Sequence, residues 1–327
     1  MKKGLISVIT PCYNTAHLVS RLLDSILMQD YPLVEMFVVD DGSTDNIKDV
    51  AEIYKDKFQK RNYSFTFIQQ DNSGQSVAIN TALKLCTGEF LTWPDSDDYI
   101  ADDHYYTKMV DLLKEASSDI VTSVRCLPSY VDEKTLKIAH KQRYTDSKVS
   151  VFEECLWATN NFWFPPICYM AKMSAIDALI PFREIYTEKN AGQNWQIMLP
   201  LFYKHTCILL PEYCVNVLER SSSHSRGQYS TYIQQSKKYL SYQNTIRETL
   251  KRIGTNMHEY IDRVDSKYYG LQISLALTHH EKMVVRYYFK KICHLPMRFI
   301  PIKYLADYLL SFVPGYMKIL KFYYKVK

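Results

Sequence analysis

The chain has 327 residues, 47% of them hydrophobic and 23% charged, a composition that excludes a disordered or fibrous protein and leaves room for a sizeable core. The net charge of +5 is unevenly placed: residues 282–327 hold ten of the 40 basic residues and one acid, Asp307, which leaves 30 basic and 34 acidic residues over 1–281. A mildly acidic body with a basic tail argues against a nucleic-acid-binding protein and assigns a partner to the tail alone.

Along the chain, Leu5–Thr10 reads as an apolar strand ended by Pro11. Ala16–Met28 carries a helical stripe of Leu18, Leu22, Leu23, Ile26 and Leu27. Val34–Val39 is a second strand running into Asp40-Asp41-Gly42-Ser43-Thr44-Asp45, and Asn46–Phe58 a second helix. Tyr63–Gln69 alternates as a third strand, Ser76–Cys86 is helical with Gly88 as its stop, and Glu89–Trp93 is a fourth strand leading into Pro94-Asp95-Ser96-Asp97-Asp98. His104–Ala116 is helical, Asp119–Cys126 is a strand, and Pro128–Ser147 is a polar loop or hairpin excursion. Val151–Thr159 is helical, whereas Phe162–Met170, with Pro165-Pro166 inside, reads as an edge strand or irregular segment. Asn194–Tyr203 is a helix, and Cys207–Leu210 and Cys214–Leu218 are two short strands. From Tyr229 the chain reads as helical, with breaks near Gly254, Pro296, Pro301 and Pro314.

Strand–helix alternation predicts an α/β fold, a mostly parallel sheet with helices on both faces, followed by a helical extension. On such sheets ligands bind beyond the carboxyl ends of the strands. Pro11–Asn14, Asp40–Asp45 and Asp95–Asp98 all fall there and are expected to line one crevice. Adjacent carboxylates such as Asp95, Asp97 and Asp98 repel unless a cation neutralises them, and a hard divalent ion takes oxygen ligands while keeping positions open for phosphate. Asn72-Ser73-Gly74-Gln75 opens a helix whose amino-terminal amides favour an anion or carbonyl.

Four segments occur in order: Ile-Ser-Val-Ile-Thr-Pro-Cys-Tyr-Asn, Val-Val-Asp-Asp-Gly-Ser-Thr-Asp, Asn-Ser-Gly-Gln-Ser-Val-Ala-Ile-Asn and Gly-Glu-Phe-Leu-Thr-Trp-Pro-Asp-Ser-Asp-Asp. In these the sequence resembles the family 2 inverting glycosyltransferases of GT-A fold. The likeness is specific over about residues 4–125, looser to about 226, and absent beyond. It implies a GT-A domain over 1–226 and a helical extension over 227–327. It further implies transfer of a sugar from a nucleotide donor, a UDP-sugar, to a carbohydrate or lipid-linked acceptor in surface polysaccharide or glycolipid assembly, with Mg²⁺ or Mn²⁺ as cofactor.

Carried over position by position, Pro11 and Tyr13 are first-strand contacts to the base, and Asp41 is the carboxylate that hydrogen-bonds it. Gly74 lines the same pocket, Asp95 faces ribose and sugar, and Asp97 coordinates the metal on the diphosphate. Asn14, Asp40 and Asn80 match signature positions as scaffold. His224, in Ser221-Ser222-Ser223-His224-Ser225-Arg226, is a metal ligand and Arg226 a phosphate contact where relatives close a His or Arg over the diphosphate. The sequence departs at the general base. Relatives commonly place an aspartate, often in Glu-Asp, where this chain has Asn194 after Gln193, and an amide accepts no proton. Glu188, six residues earlier in a polar loop, is the candidate base. Trp93 and Trp163 read as packing residues before sugar platforms.

Two other readings compete: a catalytically weak nucleotide-sugar binding protein, kept open by Asn194, and a sugar nucleotidyltransferase, disfavoured because Pro-Cys-Tyr-Asn-Thr is not a Gly-rich basic phosphate loop. The eight cysteines form no C-x-x-C pair and no run of 18 apolar residues occurs, so a cytoplasmic protein without a spanning helix is expected. The basic and aromatic residues of 282–327 suit either peripheral contact with the inner face of the plasma membrane or a helical bundle packed on the rest of the chain.

Overall fold

The computed structural model describes residues 1–116, 118–145, 149–220, 231–302, 304 and 308–309. The chain forms two compact units, Met1–Arg220 and Ser221–Lys327.

In the first unit, β1 (Lys2–Cys12), β2 (Val34–Asp41), β3 (Ser64–Gln70) and β4 (Gly88–Thr92) lie parallel in the order β3-β2-β1-β4. Helices α1 (Ala16–Leu27) and α2 (Ile47–Lys60) carry the chain outward from β1 to β3, and α3 (Gln75–Leu83) carries it back past β1 to β4. Right-handed crossovers in opposite directions put their helices on opposite faces. Accordingly α1 packs on α2, while α3 packs on β1 and β2 with α7 (Gln193–Phe202) above it. The reversal falls between β1 and β4, so the crevice of the fold opens where those two strands end.

Beyond β4 the sheet continues through β5 (Tyr99–Ile100), β6 (Val121–Asp132), β7 (Ile138–Lys141), β8 (Tyr169–Lys172) and β9 (Thr206–Glu219) in the full order β3-β2-β1-β4-β8-β6-β9-β5, with β7 paired to β6 as a hairpin. The pairs β4–β8, β8–β6 and β5–β9 are antiparallel and β6–β9 is parallel. Helices α4 (Tyr105–Glu115), α5 (Val151–Trp157) and α6 (Met173–Leu179) complete the unit. Its core holds Ile6, Ile9, Met36, Phe90, Trp93 and Tyr169, all fully buried.

Four local expectations change. Strand β1 runs through Pro11, which pairs with Val39 of β2 at a level where the β4 ladder has already ended. The segment after Pro165-Pro166 is not an edge: Pro165 caps and Pro166 opens a 3-10 turn, Pro166–Cys168, and β8 then enters the sheet interior between β4 and β6. The two short strands expected around Pro211 are one strand, β9, whose register against β6 shifts there. Helix α6 was not foreseen, because a seven-residue helix offers too few turns for a periodic stripe.

The second unit holds α8 (Tyr232–Ile253), started by a Thr231–Gln234 capping box, α9 (His258–Thr278) and α10 (Lys282–Ile292). Gly254 separates the first two, as expected; a second break at residues 279–281 was not anticipated and places His280 at φ 61°. Gln243 and Arg247 of α8 both bond the Asp265 carboxylate of α9. Val285, Tyr288 and Ile292 of α10 pack against Ile273, Ala276 and Leu277 of α9. Among the described residues no helix is long and apolar enough to cross a membrane. All eight cysteines are free, and only Cys293 is exposed.

Candidate functional site

The carboxyl ends of β1 and β2 are tied by their own polar side chains. Asn14, at φ 53°, accepts from Thr44 N at 2.8 Å through Oδ1, and its backbone N–H donates to Ser43 Oγ at 2.9 Å. Asp40 accepts from Ser43 N at 2.8 Å and Gln69 Nε2 at 3.2 Å, so it is a scaffold group. Pro11 is buried beside them, whereas Tyr13 is 46% exposed and free to meet a ligand.

Asp41 and Gly74 meet. Asp41 Oδ1 accepts from Gln70 Nε2 at 2.8 Å and Ser73 N at 2.9 Å, and Oδ2 accepts from Gly74 N at 2.8 Å. One lone pair on Oδ2 is left for a further donor. Gly74 itself adopts φ 98°, and a Cβ there would lie 2.7 Å from the Lys189 carbonyl oxygen. The loop at 185–192 therefore rests on the start of α3. Asn80 fixes it by exchanging hydrogen bonds with Ile185 at 2.9 Å each way, and Ser76 Oγ donates to Ala191 O at 2.7 Å.

Asp95 sits where α3 and α7 begin. Its Oδ1 accepts from Gln75 Nε2 at 2.9 Å and Gln193 Nε2 at 3.1 Å, the first residues of the two helices. Burial and then the neighbouring Asp97 charge raise its carboxyl to about 7, against the lowering effect of Gln75, Arg220 and Gln193. Asp98 is buried, accepts from Leu218 N at 3.0 Å, and is raised well above the ordinary carboxylate range, chiefly by desolvation. Asp97 forms an ion pair with Arg220 at 2.6 Å. Arg220, the last residue of this unit, is the partner that the sequence did not disclose, because an arginine after a strand carries no spacing signal.

The donor chemistry fits Mg²⁺ or Mn²⁺. Asp97 offers hard oxygen, one of its two oxygens has no hydrogen-bond partner among the described residues, and its charge already strains Asp95. The group of three metal-donor side chains found among the described residues, Asp102, Glu212 and Cys214, lies elsewhere. The Lys108 ammonium already offsets part of its charge, at 2.6 Å from each carboxylate.

At the expected base position, Asn194 Oδ1 is buried without a hydrogen-bond partner, as is Gln193 Oε1. Glu188 is half-buried in the loop that crosses Gly74 and accepts from Tyr186 Oη at 3.3 Å. The loop that carries Glu188 thus passes over Gly74, and Asn194 follows the Gln193 that bonds Asp95. Trp93 and Trp163 are buried packing residues, Trp93 stacked on Tyr169 and Trp163 donating to Cys126 O at 3.0 Å. His224 and Arg226 lie outside the described residues.

Residues 7–170 match Glycosyl transferase family 2. The glycosyltransferase GlyA of Streptococcus pneumoniae is 38% identical over 109 residues, 32% of this chain and 15% of GlyA. The poly(ribitol-phosphate) beta-N-acetylglucosaminyltransferase TarS of Staphylococcus aureus is 30% identical over 171 residues, 49% of this chain and 29% of TarS. The chain thus spans less than a third of the length of either relative. The crystal structure of TarS 1-349 in complex with UDP-GlcNAc matches 97% of this chain and 88% of its own at a TM-score of 0.63 and 17% identity. The mannosyltransferase PcManGT of Pyrobaculum calidifontis, solved with GDP-Man and Mn²⁺, matches 100% and 87% at 0.51 and 16%. The shared fold is the GT-A arrangement of a mixed sheet flanked by helices.

Proposed function

The chain belongs to glycosyl transferase family 2, and on that premise we propose that it moves a sugar from a UDP-linked donor to an acceptor hydroxyl, with inversion, in cell-envelope polysaccharide or glycolipid assembly. The observation that carries this reading is the placement of Asp95 and Asp97 beyond β4, next to the Asp41–Gly74 contact and the starts of α3 and α7. The UDP-GlcNAc held by TarS supports the donor, the poly(ribitol-phosphate) in that relative's name supports a polymeric envelope acceptor, and the Mn²⁺ in PcManGT supports the cofactor. We place the protein in the cytoplasm, where such donors are made available.

In this reading Asp41 takes the base through its remaining lone pair, beside Pro11 and Tyr13. Asp97 would hold the divalent ion, which would supply shielding for the charge that develops on the departing diphosphate. Asp95, clamped by Gln75 and Gln193, presents its other oxygen toward ribose and sugar. Inversion requires a proton acceptor opposite the leaving group. Glu188 takes that part, since the loop carrying it is pinned over Gly74 and Asn194 offers only an amide.

The test is Glu188→Gln, measured for both UDP affinity and transfer. Retained affinity with most turnover lost fits a group that acts only in the transition state; wild-type turnover refutes it. The amide at Asn194 favours a second reading, a nucleotide-sugar binding protein without turnover. Purified protein that binds UDP with Mn²⁺ yet neither hydrolyses nor transfers any UDP-, GDP-, CDP- or dTDP-sugar would establish it. A faster Asn194→Asp variant would place that side chain at the reacting hydroxyl.

A further inference from the structure

Helix α10 has two unlike faces. Val285, Tyr288 and Ile292 face the α9 core. On the outside, Lys282, Arg286 and Lys290 recur at four-residue steps and form one exposed row along the helix. Beside that row Met283 is 74% and Tyr287 55% exposed, again four residues apart. The Lys291 ammonium lies 4.7 Å from the Tyr287 ring centroid and so adds its charge to the same side. Past the helix, Met297 and Ile302 are more than four-fifths exposed and Leu309 is also open.

Large apolar side chains left in water next to a row of cations are what a bilayer interface accommodates: the chains enter the acyl boundary while lysine and arginine stay among the headgroups. Residues 282–327 hold ten basic residues against Asp307 alone, a charge complementary to anionic lipid. No described helix can span a membrane, so contact of this kind is peripheral. We infer that the outer face of α10, with Met297 and Ile302, docks the protein on an anionic lipid surface. This inference does not depend on the donor or on the base.

The experiment uses the full chain with vesicles of phosphatidylcholine, with and without phosphatidylglycerol. Binding is expected only with the anionic lipid and is expected to weaken as salt rises. Each basic residue near such a surface contributes about fivefold, so combining Lys282→Glu, Arg286→Glu and Lys290→Glu lowers vesicle affinity roughly a hundredfold or more. Combining Met283→Ser and Tyr287→Ser lowers it about tenfold or more by removing insertion without touching charge. Unchanged UDP affinity and melting temperature show that both variants are folded. Equal binding to neutral vesicles, or triple-variant binding equal to wild type, overturns the inference. So does sedimentation showing that the wild type is a dimer which the double variant converts to monomer, because the face then belongs to a second copy.

Discussion

Replacing Gly74 by alanine tests the contact between the two halves of the proposed site. Gly74 stands at φ 98° and ψ 158°, a region open essentially to glycine, and an alanine there carries about 1–3 kcal/mol of backbone strain. Its Cβ would also lie 2.7 Å from the Lys189 carbonyl oxygen and 3.2 Å from the carbonyl carbon and Cα of that residue. These are backbone atoms, in a loop anchored to α3 by Asn80 and Ser76, so a side-chain rotation gives no relief and the loop must move. Overpacking of this kind costs about 1–3 kcal/mol, which brings the total to roughly 2–6 kcal/mol. In a unit of this size each kcal/mol lowers Tm by about 2–4 °C, so a fall of at least about 4 °C is expected by circular dichroism. Transfer is expected to fall more than UDP affinity, because the displaced loop carries Glu188 and leads into Gln193. Gly192→Ala is the control: its φ is −76°, no atom lies within 4 Å of an added Cβ, and a cost of about 1 kcal/mol or less is expected. If the two variants melt within about 1 °C of each other, the loop is not braced on Gly74 and the reasoning fails.

Asp41→Ala is expected to weaken both UDP and uridine binding by roughly ten- to a hundredfold, read by calorimetry; unchanged uridine affinity would remove Asp41 from the base site. Asp97→Ala is expected to abolish Mn²⁺-dependent UDP binding with the fold intact, and full activity that still requires metal would refute its role as ligand. The His104 imidazole, 2.6 Å from Asp30, titrates above its ordinary 6.5 because that carboxylate accepts a hydrogen bond from the protonated ring and adds its charge. The stability this pair contributes is complete below the unfolded value and is lost as pH rises through the raised one. An NMR titration is expected to show His104 returning toward 6.5 in Asp30→Asn, and an unmoved midpoint contradicts the assignment.

The half of the sheet that builds the crevice was legible because each element there has a strong local signal. Val34–Val39 is apolar but for Glu35, Leu18 to Leu27 a clear helical stripe, and the acidic clusters follow the strands directly. The far half was not, because its strands take their place from distant partners. Tyr169–Lys172 looks marginal beside two prolines, yet β4 and β6 hold it from both sides. At the site, residue types at strand ends could be read, but not the brace between Gly74 and Lys189 or the pairing of Asp97 with Arg220, each of which spans more than a hundred residues. The Gln193–Asp95 bond belongs to the same class: the sequence marks the amide at Asn194 as a departure, but only the fold shows that its neighbour Gln193 holds a carboxylate.

That bond also bears on ancestry. Asparagine and aspartate codons differ by one base, as do glutamine and glutamate codons, so this chain stands two point mutations from an acidic pair at 193 and 194. The two steps are not interchangeable in order. Glutamate at 193 would set a third anion in hydrogen-bond contact with Asp95, at a position 1% exposed, where Asp97 already opposes ionisation. Aspartate at 194 has no carboxylate at hydrogen-bond distance among the described residues and leaves the Gln193 clamp in place. A lineage gaining or losing the acidic pair is therefore steered through Gln-Asp, and homologues carrying Glu-Asn are expected to be the rarer intermediate.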